Sequence, residues 1–294
     1  MIHAELATDP GSSTSANEDW AGVAASAVAV VLDGLSAPGD IGTGCAHGTP
    51  WYVEQLGPRL LALAGDPATS PADALAHAID QVAQLHPGCD LTHPGTPSAT
   101  VTLLRALGDQ VEYLVLADAV LLLDTRHGLC MVTDNRVNRL ATRERTAAFQ
   151  HPTGSAAHQR WRLRMISVLR RARNQPGGYW VAAADPLAAK HAITDVLPRR
   201  EVRCAALLSD GASRLVDQFR LATWDEMLVM LDNDGPAELI RRVRAAEATD
   251  PDGRRWPRSK RHDDATAVYV SFEKDKSKPH AMHEAVQESR RSAP

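Results

Sequence analysis

Apolar runs that meet acidic residues are the feature of this sequence that most constrains its fold. The first run, Val28 to Leu32, is followed directly by Asp33 and Gly34. A short apolar run of this kind predicts a buried β-strand, which would hold the Asp33 carboxylate rigidly at its end. The glycine permits a turn that lets its own carbonyl face the same ligand. The pair is therefore a candidate site for a metal ion.

Other acidic residues stand in a similar relation to apolar runs. Asp210 follows Cys204 to Leu208, Asp263 and Asp264 precede Ala265 to Val270, and Asp118 lies inside Val111 to Leu123. A single Asp-Gly pair is an ordinary turn dipeptide. Several carboxylates on converging strands would repel one another, and hard divalent cations with oxygen ligands relieve that repulsion. The repeated pattern therefore favours a metal centre.

Composition narrows the class of protein. The chain has 294 residues, of which 44% are hydrophobic, enough for one large domain or two small ones. A net charge of -4 offers no general attraction to nucleic acid or to an anionic membrane. No apolar run approaches the roughly 20 residues of a membrane helix, and the first 22 residues lack a signal-peptide pattern. We expect a cytoplasmic protein that binds neither membrane nor nucleic acid.

The four cysteines are widely spaced and form no Cys-x-x-Cys pair. This spacing predicts neither a zinc knuckle nor a disulfide framework, and free thiols in a reducing compartment are the expectation.

Apolar spacing predicts further elements, in which helix pairs come between runs of strands. Helices are predicted over 51–63, 71–85, 156–173, 222–231 and 236–248, and strands over 2–7, 98–107, 111–123 and 179–184. Without regular βαβ alternation this order favours an α+β layered sandwich. We expect one domain over 1–272, with 134–200 as an insert, and a polar, disordered tail over 273–294.

Six short motifs resemble, in order and rough spacing, those of the protein phosphatase 2C (PPM-type) family. They are Asn17 to Asp19, Val31 to Gly34, Pro97 to Val101, Leu116 to Ala119, Leu208 to Gly211 and His262 to Thr266. Each motif is weak alone, but together they span about residues 5 to 272. The resemblance implies a four-layer α/β/β/α sandwich of two antiparallel sheets flanked by helix pairs, with metals at one edge and a flap near them in the insert.

The resemblance also implies a site with two Mn²⁺ or Mg²⁺ ions, and a third in bacterial relatives. By this likeness Asp33 bridges two ions, the Gly34 carbonyl and Glu18 act on one, Asp210 and Asp263 bind the other, Asp118 helps to hold the third, and Asp19 and Asp264 orient the site. Water shared by two dications attacks phosphorus in line. The implied activity is hydrolysis of phosphoserine and phosphothreonine in proteins, acting against a serine/threonine kinase, with Asp33, Asp210 and Asp263 as its catalytic residues.

The sequence also departs from the family at positions that bear on phosphate binding. Thr14 stands where the family usually has a phosphate-binding arginine, and Leu35 follows Gly34 where the family often has a further glycine. Ala117 and Ala119 replace the small polar neighbours of the third-metal aspartate. Loss of an arginine–phosphate contact should weaken substrate binding unless another cation replaces it.

Two groups of side chains are alternative sources of that missing chemistry. The helix predicted over 156–173 carries six arginines, which either capture a phosphorylated substrate or form a solvated basic face. His47 and His262 stand near the proposed ligands and could supply a proton, although an isolated histidine is more often a packing or surface residue. The solvated face is the interpretation that the sequence favours for the arginines.

Two alternatives to a protein phosphatase stay open. The first is a catalytically weak or inactive relative that binds a phosphoprotein or regulatory partner, which Thr14 favours and the retained Asp33, Asp210 and Asp263 oppose. The second is a metal-dependent hydrolase of a small phosphoester.

Overall fold

A computed structural model describes residues 3–24, 28–35 and 42–272. The strands are β1 (His3–Asp9), β2 (Asp19–Ala24), β3 (Val28–Gly34), β4 (Ala99–Leu107), β5 (Gln110–Leu116), β6 (Val120–Thr125), β7 (Gly128–Val132), β8 (Ile193–Pro198), β9 (Val202–Leu208) and β10 (Ala265–Ser271). The α-helices are α1 (Gly48–Leu63), α2 (Pro71–Ala83), α3 (Thr142–Phe149), α4 (Ala156–Ala172), α5 (Asp210–Asp217) and α6 (Trp224–Thr249). Single-turn 3₁₀ helices span Val137–Arg139 and Arg199–Glu201, and a longer one spans Pro186–His191. The tail predicted over 273–294 lies outside the described residues.

Within these residues the strands form two antiparallel five-stranded sheets. One has the order β1-β10-β9-β6-β7 and the other the order β2-β3-β4-β5-β8. Their inner faces meet in one apolar core, α1 and α2 cover the outer face of the second sheet, and α5 and α6 cover that of the first. The predicted α+β sandwich of two antiparallel sheets with flanking helices is confirmed.

The position of strand β3 between the helix layer and the other sheet explains why its sequence is apolar before Asp33. Val28, Val30 and Leu32 pack against the helix layer, whereas Ala29 and Val31 face the other sheet. Successive side chains of a strand point to opposite faces, so a strand buried on both faces has no polar position to alternate with. Asp33 is the first residue at which the strand reaches the edge of these layers.

The prediction of one strand over 111–123 is wrong. Strand β5 ends at Leu116 in one sheet and β6 begins at Val120 in the other. Between them Ala117 has a left-handed φ of 67°, a conformation that breaks a β-ladder. The chain crosses between the sheets here, so Asp118 lies in a crossover and not inside a strand.

The region 134–200 contains more regular structure than the sequence predicted. Helices α3 and α4 form an adjoining pair, and β8 extends the second sheet at its edge by pairing with β5. Strand β8 is largely exposed, so it lacks the apolar run that would have indicated it. The strand predicted over 179–184 is wrong, since only isolated bridges at Tyr179 and Ala182 are formed.

The two late helices are present as predicted and form the two halves of α6. The helix bends at Gly235, which has a φ of 79° and is followed by Pro236. None of the helices in the described ranges combines the length and apolarity that a bilayer crossing requires.

Candidate metal centre and active site

The acidic positions singled out in the sequence meet at one edge of the sandwich. Asp19 and Asp33 are cross-strand partners on β2 and β3. A cavity of about 210 Å³ at this edge is bordered by both acidic and basic residues. Its charged lining comprises Asp33, Asp118, Asp210, Asp263, Arg145, Arg162, Arg173 and Lys260. The fold thus brings together four acids that lie far apart in the sequence.

Asp33 is held from two directions. The strand positions its backbone, and the backbone N–H of Asp210 donates a hydrogen bond of 3.0 Å to Asp33 Oδ2. Asp210 opens α5, whose free N–H groups favour an anion at that end. Burial raises the pKa of Asp33 well above its usual value, and the charges of Asp210 and Asp19 add to the effect. The site therefore concentrates negative charge that its own hydrogen bonds compensate only in part.

Two glycines allow this close arrangement. A Cβ on Gly34 would lie 2.3 Å from the Glu18 carbonyl oxygen, and one on Gly211 would lie 1.9 Å from the Asp264 carbonyl oxygen. Neither contact is possible for a real side chain, so both positions require glycine for approach of neighbouring backbone. Gly34 lies within β3 and Gly211 within α5. The role expected for Gly34, a turn after the strand, is therefore replaced by close packing.

Asp19 and Asp210 also carry raised pKa values. Burial is the main cause for Asp19 and raises its pKa to about 8. Asp210 is exposed as a whole residue, but desolvation of its carboxylate and the charge of Asp263 raise its pKa to about 7. In addition, Asp19 Oδ2 is buried without a hydrogen-bond partner among the described residues. Such an orphaned oxygen beside repelling carboxylates is what a bound cation would compensate.

Asp264 has a structural function that its neighbour Asp263 does not share. Its two carboxylate oxygens accept hydrogen bonds of 2.7 Å from the backbone N–H groups of Gly11 and Glu18. This arrangement ties the segment before β2 to the start of β10 and positions Glu18. Whether Asp264 orients a metal site stays a prediction.

Asp263 is paired with two cations. Arg214 donates to its Oδ2 at 2.7 Å and Lys260 to its Oδ1 at 2.5 Å. Burial opposes ionisation of Asp263, but the charges of Lys260 and Arg214 hold its pKa below the usual value. Arg214 also pairs at 3.0 Å with Glu247, a fully buried carboxylate. A metal ion at Asp263 would therefore share that carboxylate with protein cations.

The donor set fits a hard divalent cation in chemical type. Asp33, Asp118, Asp210, Asp263 and the Gly34 carbonyl all offer oxygen, which Mg²⁺ and Mn²⁺ prefer. Among the residues that the structure describes, however, no three carboxylates bring ligand oxygens within 4.8 Å of one another. The carboxylates thus surround a common cavity at wider spacing than a closed ligand cage.

Sequence reasoning missed Arg145 and Lys260, and it offered Arg162 and Arg173 only as two of six arginines with two possible functions. Arg145 lies in α3, and Lys260 precedes β10. Arg162 lies in the arginine-rich α4, and Arg173 directly follows that helix. Burial lowers the pKa of Arg162, while the charges of Asp263 and Glu18 act to raise it. A basic helix gives no signal of which face it buries, so only the packing of α4 over the cavity identifies these residues.

The six arginines of this region divide between the two interpretations. Arg162 and Arg173 line the cavity. Arg160 and Arg171 are exposed, and Arg164 stacks on Trp161 at 4.6 Å. Arg170 is buried and donates to the Gly42 carbonyl at 3.1 Å. The favoured sequence interpretation, a solvated basic face, therefore describes only part of the helix.

Three other positions lie away from the cavity lining. Thr14 is exposed and bonded to Ser12 at 2.9 Å. His262 Nδ1 lies 2.7 Å from Glu247 Oε2, so this histidine belongs to the ion-pair network behind Asp263. His47 lies beside Cys45 and Cys89, at 3.6 Å from each sulfur. Neither histidine borders the acidic cavity.

Comparison with known proteins identifies the fold. No family model matches the sequence, and no curated protein matches it. The structure is similar to the serine/threonine phosphatase Stp1 from Staphylococcus aureus, with 14% identity, a TM-score of 0.56, and coverage of 93% of this chain and 96% of that one. It is similar to PstP/Ppp from Mycobacterium tuberculosis, with 17% identity, a TM-score of 0.56, and coverage of 92% and 99%.

A further structure, the catalytic domain of PstP in complex with two manganese ions, has 16% identity and a TM-score of 0.50 over 92% of this chain and 97% of that one. At these identities the likeness shows the fold. The chain has the fold of the bacterial PP2C-type serine/threonine phosphatases, and the predicted resemblance is confirmed at that level.

Proposed function

We propose that the protein is a metal-dependent phosphatase that hydrolyses phosphoserine and phosphothreonine in proteins. The observation that carries the proposal is the cavity in which Asp33, Asp118, Asp210 and Asp263 face Arg162 and Lys260. Metal-dependent hydrolysis of a phosphate ester needs carboxylates that hold divalent metal ions and basic side chains that bind the phosphoryl oxygens. The fold shared with bacterial serine/threonine phosphatases supports the assignment.

Under this proposal Asp33, Gly34, Glu18, Asp210 and Asp263 hold two Mn²⁺ or Mg²⁺ ions, and Asp118 contributes to a third. When bound, these ions would neutralise charge on the phosphoryl oxygens and lower the pKa of water at the site. The crystallised PstP domain with two manganese ions supports the choice of metal. Asp264 keeps Glu18 in place through the backbone hydrogen bond of 2.7 Å.

Arg162 replaces the phosphate-binding arginine that the family usually has at the position of Thr14. Its guanidinium lies in the field of Asp263 and Glu18 and borders the cavity, so an incoming phosphoryl group would meet it beside the acids. A guanidinium binds phosphate oxygens in a bidentate, charge-assisted manner. Helix α4 therefore supplies from the insert a contact that the segment before β2 does not make.

The test is phosphate release from a phosphothreonine peptide by the full chain with Mn²⁺, compared with EDTA. We expect metal-dependent turnover that Asp33→Asn and Asp210→Asn abolish. Arg162→Ala should lower kcat/KM by about 10- to 100-fold, because a charge-assisted hydrogen bond contributes about 1.5–3 kcal/mol. Arg160→Ala, a change on the exposed face of the same helix, is the matched control and should leave turnover unchanged. Equal turnover of Arg162→Ala and wild type would contradict the role of Arg162.

A second candidate is a catalytically weak or inactive member of this fold that binds phosphoproteins. The observation that favours it is the pairing of Asp263 with both Arg214 and Lys260, which competes with a metal ion for that carboxylate. This candidate predicts phosphopeptide binding, measured by calorimetry, without phosphate release at any Mn²⁺ concentration. Faster turnover of free phosphometabolites than of phosphopeptides would instead indicate a small-phosphoester hydrolase.

A further inference from the structure

A second cluster of metal-binding side chains lies away from the acidic cavity, between α1 and α2. Cys45 and His47 immediately precede α1, and His86 and Cys89 lie in the turns after α2. We call these four residues the thiol–imidazole cluster. The sequence predicted no zinc site, because Cys45 and Cys89 are 44 positions apart in the numbering. The helical hairpin brings them together.

Backbone contacts fix the two loops of this cluster against each other. Asp90 N–H donates to the Gly44 carbonyl at 2.8 Å. Gly44 has a left-handed φ of 74°, and a Cβ there would lie 2.5 Å from both the Asp90 carbonyl oxygen and His93 Cβ. Only glycine permits this approach. The juxtaposition of Cys45 with Cys89 is therefore built into the backbone.

Three ligand atoms converge closely enough for one metal ion, and His47 lies beside both sulfurs. The ligand atoms of Cys45, His86 and Cys89 all lie within 4.8 Å of one another. His47 Nδ1 is 3.6 Å from the sulfur of Cys45 and 3.6 Å from that of Cys89. Zinc bonds of about 2.3 Å to sulfur and about 2.0–2.1 Å to nitrogen, at tetrahedral angles, separate sulfur from nitrogen by about 3.6 Å. Both distances from His47 thus equal the separation that one shared ion imposes.

His86 gives an independent indication of a ligand. It is only 6% exposed, and both of its ring nitrogens are buried without a hydrogen-bond partner among the described residues. Its ring is stacked with that of His47 at 5.0 Å and tilted against that of Trp51 at 4.6 Å, and neither contact is a hydrogen bond to the His86 nitrogens. A buried imidazole with both nitrogens unpaired is costly. Coordination through one nitrogen would remove part of that cost.

We propose that Cys45, His47, His86 and Cys89 bind one structural Zn²⁺ ion. Two sulfurs and two imidazoles make a closed four-ligand set, with no position left for a substrate. Thiolates favour zinc over the Mg²⁺ and Mn²⁺ that suit the acidic cavity, so the two sites would take different metals. The His47 backbone N–H donates to Cys45 Sγ at 3.3 Å, a contact that stabilises the thiolate form required for coordination. The ion would link the loop before α1 to the turns after α2.

The first test is the metal content and cobalt spectrum of the full chain. Wild type purified without added metal should contain about one zinc per chain, and Cys89→Ser should contain roughly tenfold less. Cobalt substitution should give thiolate-to-cobalt charge-transfer absorption and the intense visible bands of a tetrahedral site. The matched control is Cys130→Ser, at an exposed cysteine of β7, which should keep both signals. Asp33→Asn should also keep them, because the acidic cavity is a separate site.

The second test uses wild type, so it does not depend on a variant folding. Alkylation mapped by mass spectrometry should label Cys130 at once but leave Cys45 and Cys89 protected until a chelator removes zinc. Rapid labelling of Cys45 and Cys89 in protein supplied with equimolar zinc would overturn the proposal. So would a Cys45–Cys89 disulfide in protein that holds no zinc.

Discussion

Replacing Asp19 by Asn should stabilise the metal-free protein while leaving its fold intact. Asp19 is 7% exposed, faces Asp33 across β2 and β3, and has one buried oxygen without a partner. Its carboxylate belongs to a cluster of acids whose mutual repulsion a bound cation would relieve. When a chelator has removed the metal, the repulsion between these carboxylates is not relieved in the folded protein. A neutral side chain of the same shape at position 19 removes one of the repelling charges.

The magnitude follows from the raised pKa. Burial, with added repulsion from Asp263 and Asp210, raises the pKa of Asp19 from 3.8 to about 8. The folded state therefore binds the proton more tightly than the unfolded state, so the unfolding free energy falls as pH rises from about 4 to about 8. A rise of about four in pKa corresponds to about 5 kcal/mol. The side chains of Thr266 and Ser209 act in the other direction and lower the pKa of Asp19, and their weaker interaction with asparagine offsets about 1–2 kcal/mol of the gain.

We therefore expect Asp19→Asn to exceed wild type by about 3–4 kcal/mol at pH 8 and to match it near pH 5. The assay is urea denaturation followed by circular dichroism, in chelator, across this pH range. Asp66→Asn is the control of opposite sign. The backbone N–H of Ala68 holds the pKa of Asp66 below its usual value, so loss of the Asp66 carboxylate should lower stability at neutral pH. A constant difference between Asp19→Asn and wild type from pH 5 to 8 would refute the reasoning.

Two further predictions concern packing and ion pairing, and both are measured by urea denaturation. Gly34→Ala should cost about 1–3 kcal/mol of unfolding free energy, since its Cβ would lie 2.3 Å from the Glu18 carbonyl oxygen. Gly42→Ala, with no atom within 4 Å of its Cβ, should change little, and equal stability of the two variants would contradict the packing argument. Arg214→Met should cost about 1.5–3 kcal/mol, because it removes one of the two guanidinium partners of the fully buried Glu247, the contact of 3.0 Å to Oε1, and leaves Arg244 and His262 on Oε2. A loss below about 1 kcal/mol would show that Glu247 is compensated by its remaining partners.

Much of the fold was accessible from the sequence because its elements have simple apolar patterns. The pattern of β3 predicted a buried strand, and Pro71, the first residue of α2, predicted where that helix begins. The prediction failed for 111–123, where apolar residues continue through the crossover at Ala117 although the chain changes sheets. Apolarity reports burial and not direction, so a buried turn between two buried strands looks like one long strand.

The candidate site was accessible in its acidic half. Aspartates next to apolar runs mark the edge of a core, so Asp33, Asp118, Asp210 and Asp263 could be named from local sequence, and all four border one cavity. Their roles as metal ligands stay a prediction. The basic half could not be named in this way, because Arg162 is one of several arginines on one helix and differs from Arg160 only in the face it presents to the core.

The sequence by itself determined most of the strands and helices and the positions of the acids, since each depends on a local alternation between apolar and polar residues. Tertiary structure alone decided which cations face those acids and which thiols meet. Arg214 meets Asp263, and Cys45 meets Cys89, only because distant segments pack at fixed angles and distances. Electrostatic and coordination energies depend on those distances, and no local pattern of residues encodes them.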